Sequence, residues 1–187
     1  MYKLLLSFIF SLTMSCGFAF ANQDKNIVGA EFGYGSLSNE LLAGDRKGNI
    51  VDNDIGSLSI FYRRMITSNL GLEAGYRSSF GGFGSMLTSG IAEAKDPAFY
   101  GPRAAIYGEL PLNKYFGLHG KLGINYSTLE YTSKQLNKSL SISNVGGEGT
   151  VGFYFDMSRF RLGIDYTYLS SKYFDSSIYS VTTMFKF

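Results

Sequence analysis

From residue 28 onward the chain alternates apolar and polar positions with a period of two. That spacing sends successive side chains to opposite faces of a strand. Val28, Ala30, Phe32 and Tyr34 share one parity, with Gly29, Glu31, Gly33 and Gly35 on the other. The longest run sets Phe116, Leu118, Gly120, Leu122, Ile124 and Tyr126 against Gly117, His119, Lys121, Gly123 and Asn125. The pattern predicts eight strands, near 27–36, 55–66, 70–79, 99–110, 116–127, 143–155, 160–169 and 177–187. The links at 37–54, 79–98 and 128–142 are long, and that near 170–176 is intermediate. Those at 67–69, 111–115 and 157–158 are short. Long and short links alternate, so the long ones emerge at one end.

Eight strands of about ten residues, with tight turns at one end and loops at the other, form an all-β, up-and-down antiparallel transmembrane barrel. The water-soluble rival has the apolar face inside, and volume decides against it. The interior of an eight-stranded barrel is only just filled by side chains. The apolar parity carries Phe32, Tyr34, Tyr62, Tyr76, Phe116, Tyr126, Phe153, Phe155, Phe160, Tyr166, Tyr168, Tyr179, Phe185 and Phe187, more ring volume than such an interior holds. These rings therefore face lipid, and those near strand ends form girdles at the two interfaces. Arg64 is the one charge on that face, close enough to a strand end to snorkel.

The opposite parity carries Arg63, Arg77, Arg103, Lys121, Arg161 and Lys186 with Glu31, Glu73, Glu109, Glu148 and Asp165. Buried charges persist only when paired or solvated. A nearly balanced set in a narrow lumen predicts a salt-bridge network that fills it. A conducting path is the alternative, but continuous aqueous channels belong to barrels about twice this size. A turn centred on Ser68 sets Arg63 directly opposite Glu73, and the two are expected to pair. A two-residue turn at Met157-Ser158 sets Thr150 opposite Asp165 and Glu148 opposite Thr167.

The first residues read differently. Lys3 precedes an apolar stretch from Leu4 to Phe18, and Ala19-Phe20-Ala21 supplies small residues at the positions a signal peptidase reads. Residues 1–21 are expected to be a cleaved signal peptide and residues 22–187 the barrel. The stretch is short for a membrane anchor, and Thr13-Met14-Ser15 fits a lipidation signal at Cys16 poorly. With 17% charged and 16% aromatic residues, the 187-residue chain is not disordered. One Cys excludes a disulfide scaffold, and a net charge of +2 gives no nucleic-acid footprint.

Candidate chemistry is sparse. His119 is the single His, points inward by parity, and has Gly120-Lys121 after it rather than a serine partner, so a lumen-filling role near Glu109 is expected. Asp52-Asn53-Asp54 is not followed by a calcium-binding loop, and no metal or cofactor is expected. The loops remain as carriers of function on a rigid scaffold. Residues 37–54 hold Leu41, Leu42 and Asp45-Arg46-Lys47, and residues 79–98 hold Phe80, Phe83, Met86, Leu87 and Ile91.

The stretch Tyr107-Gly-Glu-Leu-Pro-Leu-Asn-Lys-Tyr-Phe-Gly-Leu-His-Gly-Lys-Leu-Gly-Ile-Asn-Tyr-Ser127 resembles the central hairpin of small outer-membrane barrels: the OmpA transmembrane domain, the OmpX/Ail group and the opacity-type proteins. Tyr179, Val181, Phe185 and terminal Phe187 resemble the signal read by the barrel-assembly machinery. The absence of Trp departs from the usual girdles, and Thr183 departs from the signal. The resemblance implies an outer-membrane location with outward loops, biogenesis through periplasmic chaperones and that machinery, and lipid as the permanent partner. Members act as structural barrels, adhesins or complement-resistance factors, so the expected function is a non-enzymatic surface barrel whose loops engage host or environmental molecules. A small pore and a lipid A-modifying enzyme are the alternatives.

Overall fold

The computed structural model describes residues 25–38, 53–81, 98–133 and 138–187. The expected signal peptide, Asp52, Asp45-Arg46-Lys47 and the apolar loop residues Leu41, Leu42, Phe83, Met86, Leu87 and Ile91 lie outside them. Eight strands form: β1 (Asn26–Ser38), β2 (Asn53–Met65), β3 (Leu70–Gly81), β4 (Ala98–Pro111), β5 (Phe116–Ser133), β6 (Lys138–Met157), β7 (Phe160–Ser171) and β8 (Asp175–Lys186). Each pairs antiparallel with the next, and β1 pairs with β8, so the sheet closes into a barrel. Closure leaves the membrane-spanning part of the sheet no edge, which a strand structure in lipid requires.

The two parities sort onto two faces. Leu58, Ile60, Leu122, Ile124, Val151, Phe153, Ile164 and Val181 are exposed on the outside. They form a continuous apolar belt that only lipid can cover. Toward the loop end the rings are Tyr34, Tyr76, Tyr126, Tyr168 and Tyr179, while the turn end adds Phe116 and Phe160. Inside, the glycines make room for a few rings. Phe61 pairs with Gly29 on one side and Gly75 on the other, and a methyl group at either glycine would collide with it. Tyr154 lies against Gly117 in the same way.

Several strands run past the bounds that alternation suggests. The largest difference lies in β5 and β6, which stay paired out to Ser133 and Lys138, so most of the expected loop 128–142 is a tall hairpin. The reason lies in the outward positions. Tyr126 and Val145 are apolar, but Thr128, Glu130, Ser143 and Ser141 above them are not. Hydropathy alternation reports contact with lipid, whereas the backbone ladder continues in water.

The β2–β3 turn sets Arg63 opposite Glu73, with the register centred on Ser68. The β6–β7 turn differs from expectation. Its two residues are Ser158 and Arg159, since Met157 pairs with Phe160. Thr150 therefore faces Thr167, Gly152 faces Asp165, and Glu148 faces Leu169. Ser158 takes φ 62°, the left-handed conformation that a tight hairpin needs at its first turn residue. Moving a turn by one residue shifts the register by two, so every side chain keeps its face.

Candidate functional site

The lumen is filled in layers, because strand parity sends every second residue of each strand inward. At the loop end the filling is apolar: Leu37, Ile55, Phe99, Leu129, Leu169, Phe174 and Ile178 pack together, none more than 4% exposed. Phe99 and Phe174 stack with ring centres 4.9 Å apart.

Below this lid lies an ionic layer of Arg63, Arg77, Arg103 and Lys121 with Glu31, Glu73 and Glu148. Glu31 accepts from Arg77 at 3.2 Å and Arg103 at 3.0 Å, and it also takes Lys121. Glu73 meets Arg63 at 2.6 Å and Arg103 at 2.9 Å, with Lys121 at 3.5 Å. Glu148 accepts from Arg77 and Arg103, each at 3.0 Å. No side chain in this layer is more than 5% exposed. Each carboxylate is shared by at least two cations, which offsets the cost of removing these charges from water. The Arg63 guanidinium also lies 3.5 Å over the Tyr107 ring, a cation–π contact in a desolvated setting.

At the turn end, Arg161 binds Glu109 and, at 2.7 Å, Asp156, while Lys186 Nζ donates to Asp156 at 2.7 Å. Tyr107 Oη donates to Glu109 at 2.6 Å, which ties this cluster to Arg63 above it. Ile27, Phe61, Met65, Tyr107 and Met184 form the apolar packing around it.

Asp165 behaves differently from the other expected members of the network. Asp165 forms no ion pair with a Lys or Arg among the described residues. It accepts from Thr182 Oγ1 at 2.6 Å and lies 2.9 Å from His119 Nε2, outside hydrogen-bond alignment. Gly152 opposite leaves the space that this carboxylate occupies. His119 pairs with Glu109 through the backbone, but its ring sits against Tyr107, Tyr154 and Asp165. The reason is that Glu109 is already held by Arg161 and Tyr107.

Asp156 is the member that sequence reading missed. It shares the parity of Thr150 and Tyr154, so the signal was present, but it sits beside a turn whose position the pattern left ambiguous. With it, the described residues place Arg63, Arg77, Arg103, Lys121, Arg161 and Lys186 in the lumen against Glu31, Glu73, Glu109, Glu148, Asp156 and Asp165, a balanced set. The residues expected to serve as assembly signal face outward: Tyr179, Val181 and Phe187 are exposed, and Phe185 is half-buried against Phe160.

A closed eight-stranded barrel, apolar outside and ion-paired inside, already describes a membrane protein. A family model described as the outer membrane protein beta-barrel domain matches residues 6–187. The chain belongs to this outer-membrane β-barrel family. Solved outer-membrane barrels share its fold at low identity. Neisserial surface protein A is similar with TM-score 0.63 and 13% identity, over 87% of this chain and 97% of that one. Ail, the attachment invasion locus protein of Yersinia pestis, is similar with TM-score 0.56 and 16% identity, over 87% and 99%. OprG from Pseudomonas aeruginosa gives TM-score 0.55 and 12% identity, over 87% and 96%. No curated protein sequence matches the chain.

Proposed function

We propose that this outer-membrane barrel is a non-enzymatic scaffold that holds surface loops outward for contact with host or environmental molecules, and that it adds to envelope integrity. The observation that carries this reading is the filled lumen. An apolar lid and an ion-paired layer occupy the space that a solute would need, so transport through the barrel axis is disfavoured. His119, the one imidazole, is enclosed in the lumen, away from lipid and from the loops. Function then falls to the ends of the barrel.

The short turns and the N-terminus face the periplasm in this reading, and the loops face outward. On that side the β5–β6 ladder runs out to Ser133 and Lys138, and loops 37–54 and 79–98 join strands at the same end. The Ail protein of Yersinia pestis has also been solved with the heparin analogue sucrose octasulfate, which favours an extracellular ligand for a barrel of this fold. Delivery by periplasmic chaperones and insertion by the barrel-assembly machinery, guided by Tyr179, Val181, Phe185 and Phe187, belong to the same proposal.

The test compares intact cells carrying the native protein with cells carrying a variant whose loops 37–54 and 79–98 are replaced by short turns, at matched surface expression. Binding is measured to a panel of host-surface ligands and serum proteins. Loss of binding in the variant is expected. Equal binding by both, or none by either, removes the ligand role and leaves only structural support.

A further inference from the structure

The turn end of the barrel carries a basic sector that the lumen network does not use. Arg64, Arg159 and Lys25, the last at the lumen mouth beside Ile27, are exposed there, and none has an ion-pair partner among the described residues. The side-chain carboxylates described at that end, Glu109 and Asp156, are taken by Arg161 and Lys186. The three free cations lie on neighbouring elements. The Arg159 carbonyl accepts from the Lys186 amide at 2.8 Å, β8 pairs with β1, the Lys25 carbonyl accepts from the Met65 amide at 2.7 Å, and Arg64 faces Asn26 across β1–β2. Strands are about 4.8 Å apart, so the set spans roughly three strand spacings along one stretch of rim.

Directly beside this stretch, on the lipid face, lies an aromatic shelf. Phe160 and Phe185 have ring centres 5.2 Å apart, Phe185 and Phe187 6.3 Å apart, and Phe160 and Phe187 remain 58% and 47% exposed. Tyr62 Oη donates to Asn26 Oδ1 at 2.7 Å, which fixes its ring beside Arg64. Cations on the rim beside rings exposed on the lipid face are complementary to one class of molecule, a lipid with an anionic head. Zwitterionic heads carry their own cation and gain less from such a rim.

We propose that the Lys25–Arg64–Arg159 sector binds anionic phospholipid in preference to zwitterionic phospholipid, with the headgroup phosphate on the cations and the acyl chains on the Phe160–Phe185–Phe187 shelf. Its placement in the inner leaflet rests on the orientation proposed above, whereas the binding itself does not. The sector gives the barrel a preferred lipid shell on one side, next to the β1–β8 closure.

The test is lipid selectivity in a symmetric bilayer, which is independent of orientation and of any loop ligand. The folded protein is placed in phosphatidylcholine bilayers with a minority of phosphatidylglycerol. Association of spin-labelled phosphatidylglycerol is compared with that of spin-labelled phosphatidylcholine. The native protein is expected to prefer the anionic label, and the preference is expected to shrink as salt is raised. The Lys25→Gln/Arg64→Gln/Arg159→Gln variant is expected to lose roughly fivefold or more of that preference. Arg64→Lys/Arg159→Lys should keep it, and so should Lys172→Gln, which removes an exposed cation at the loop end. Retention of the barrel in all variants is checked by resistance to SDS until boiling. Equal association of the two labels with the native protein overturns the proposal. A loss in Lys172→Gln as large as that in the triple variant also overturns it, because the preference would then follow net charge rather than this sector.

Discussion

Glu31 accepts from Arg77, Arg103 and Lys121, which reach it from three other strands. Its charge is therefore shared across the lumen, and removing it leaves the four buried cations of this layer to Glu73 and Glu148 alone. A buried charge left without its partner costs about 3–5 kcal/mol. Glu31→Gln is expected to lower unfolding free energy by that amount, read from the urea midpoint of the barrel in lipid vesicles. Lys172→Gln, an exposed change outside the network, is expected to shift it by no more than about 0.5 kcal/mol. The Arg63–Glu73 pair was legible from sequence because a turn of known centre and strand parity fix one register. The direct cross-strand rule does not reach the contacts of Glu31, Arg103 and Glu148. Apart from the diagonal Arg103–Glu73 pair on β3–β4, they cross the lumen between strands that are not neighbours, and such distances follow from barrel closure rather than from any local spacing.

At the scale of elements, turns decide what alternation leaves open. Ser158 holds φ 62° without being glycine, so composition gave no mark for the turn and the β6–β7 register was read two residues away. The left-handed conformation costs a non-glycine residue about 1–2 kcal/mol, and a β-branched one suffers most. Ser158→Val is expected to lower stability by about that much, while Ser158→Gly holds or raises it, both measured by the same urea titration. The β5–β6 hairpin shows a second limit of the pattern. Its upper part reads as a loop because its outward residues are polar, yet the ladder runs on to Ser133 and Lys138. This places Thr128 and Ser143, which share a hydrogen bond of 2.9 Å, above the apolar belt. On intact cells a membrane-impermeant thiol reagent is expected to label Thr128→Cys and Ser143→Cys and to leave Ile124→Cys unlabelled. Labelling only after the outer membrane is permeabilised would reverse the orientation of the barrel.

The whole molecule divides its work by position. The outer face is matched to lipid, the lumen is spent on ion pairs and apolar packing, and only the two ends are free to meet other molecules. Architecture was readable from sequence because period-two alternation, link lengths and ring volume each constrain it independently. The loop ligand was not, because a loop's chemistry lies in its conformation and partner, and no periodicity encodes either. The central claim is that the lumen is a filled support rather than a path. It is tested most directly by conductance of the purified, folded protein in planar lipid bilayers. The filled lumen predicts no discrete channel steps across a range of voltage and salt. Steady, reproducible steps from protein whose barrel resists SDS until boiling would contradict it.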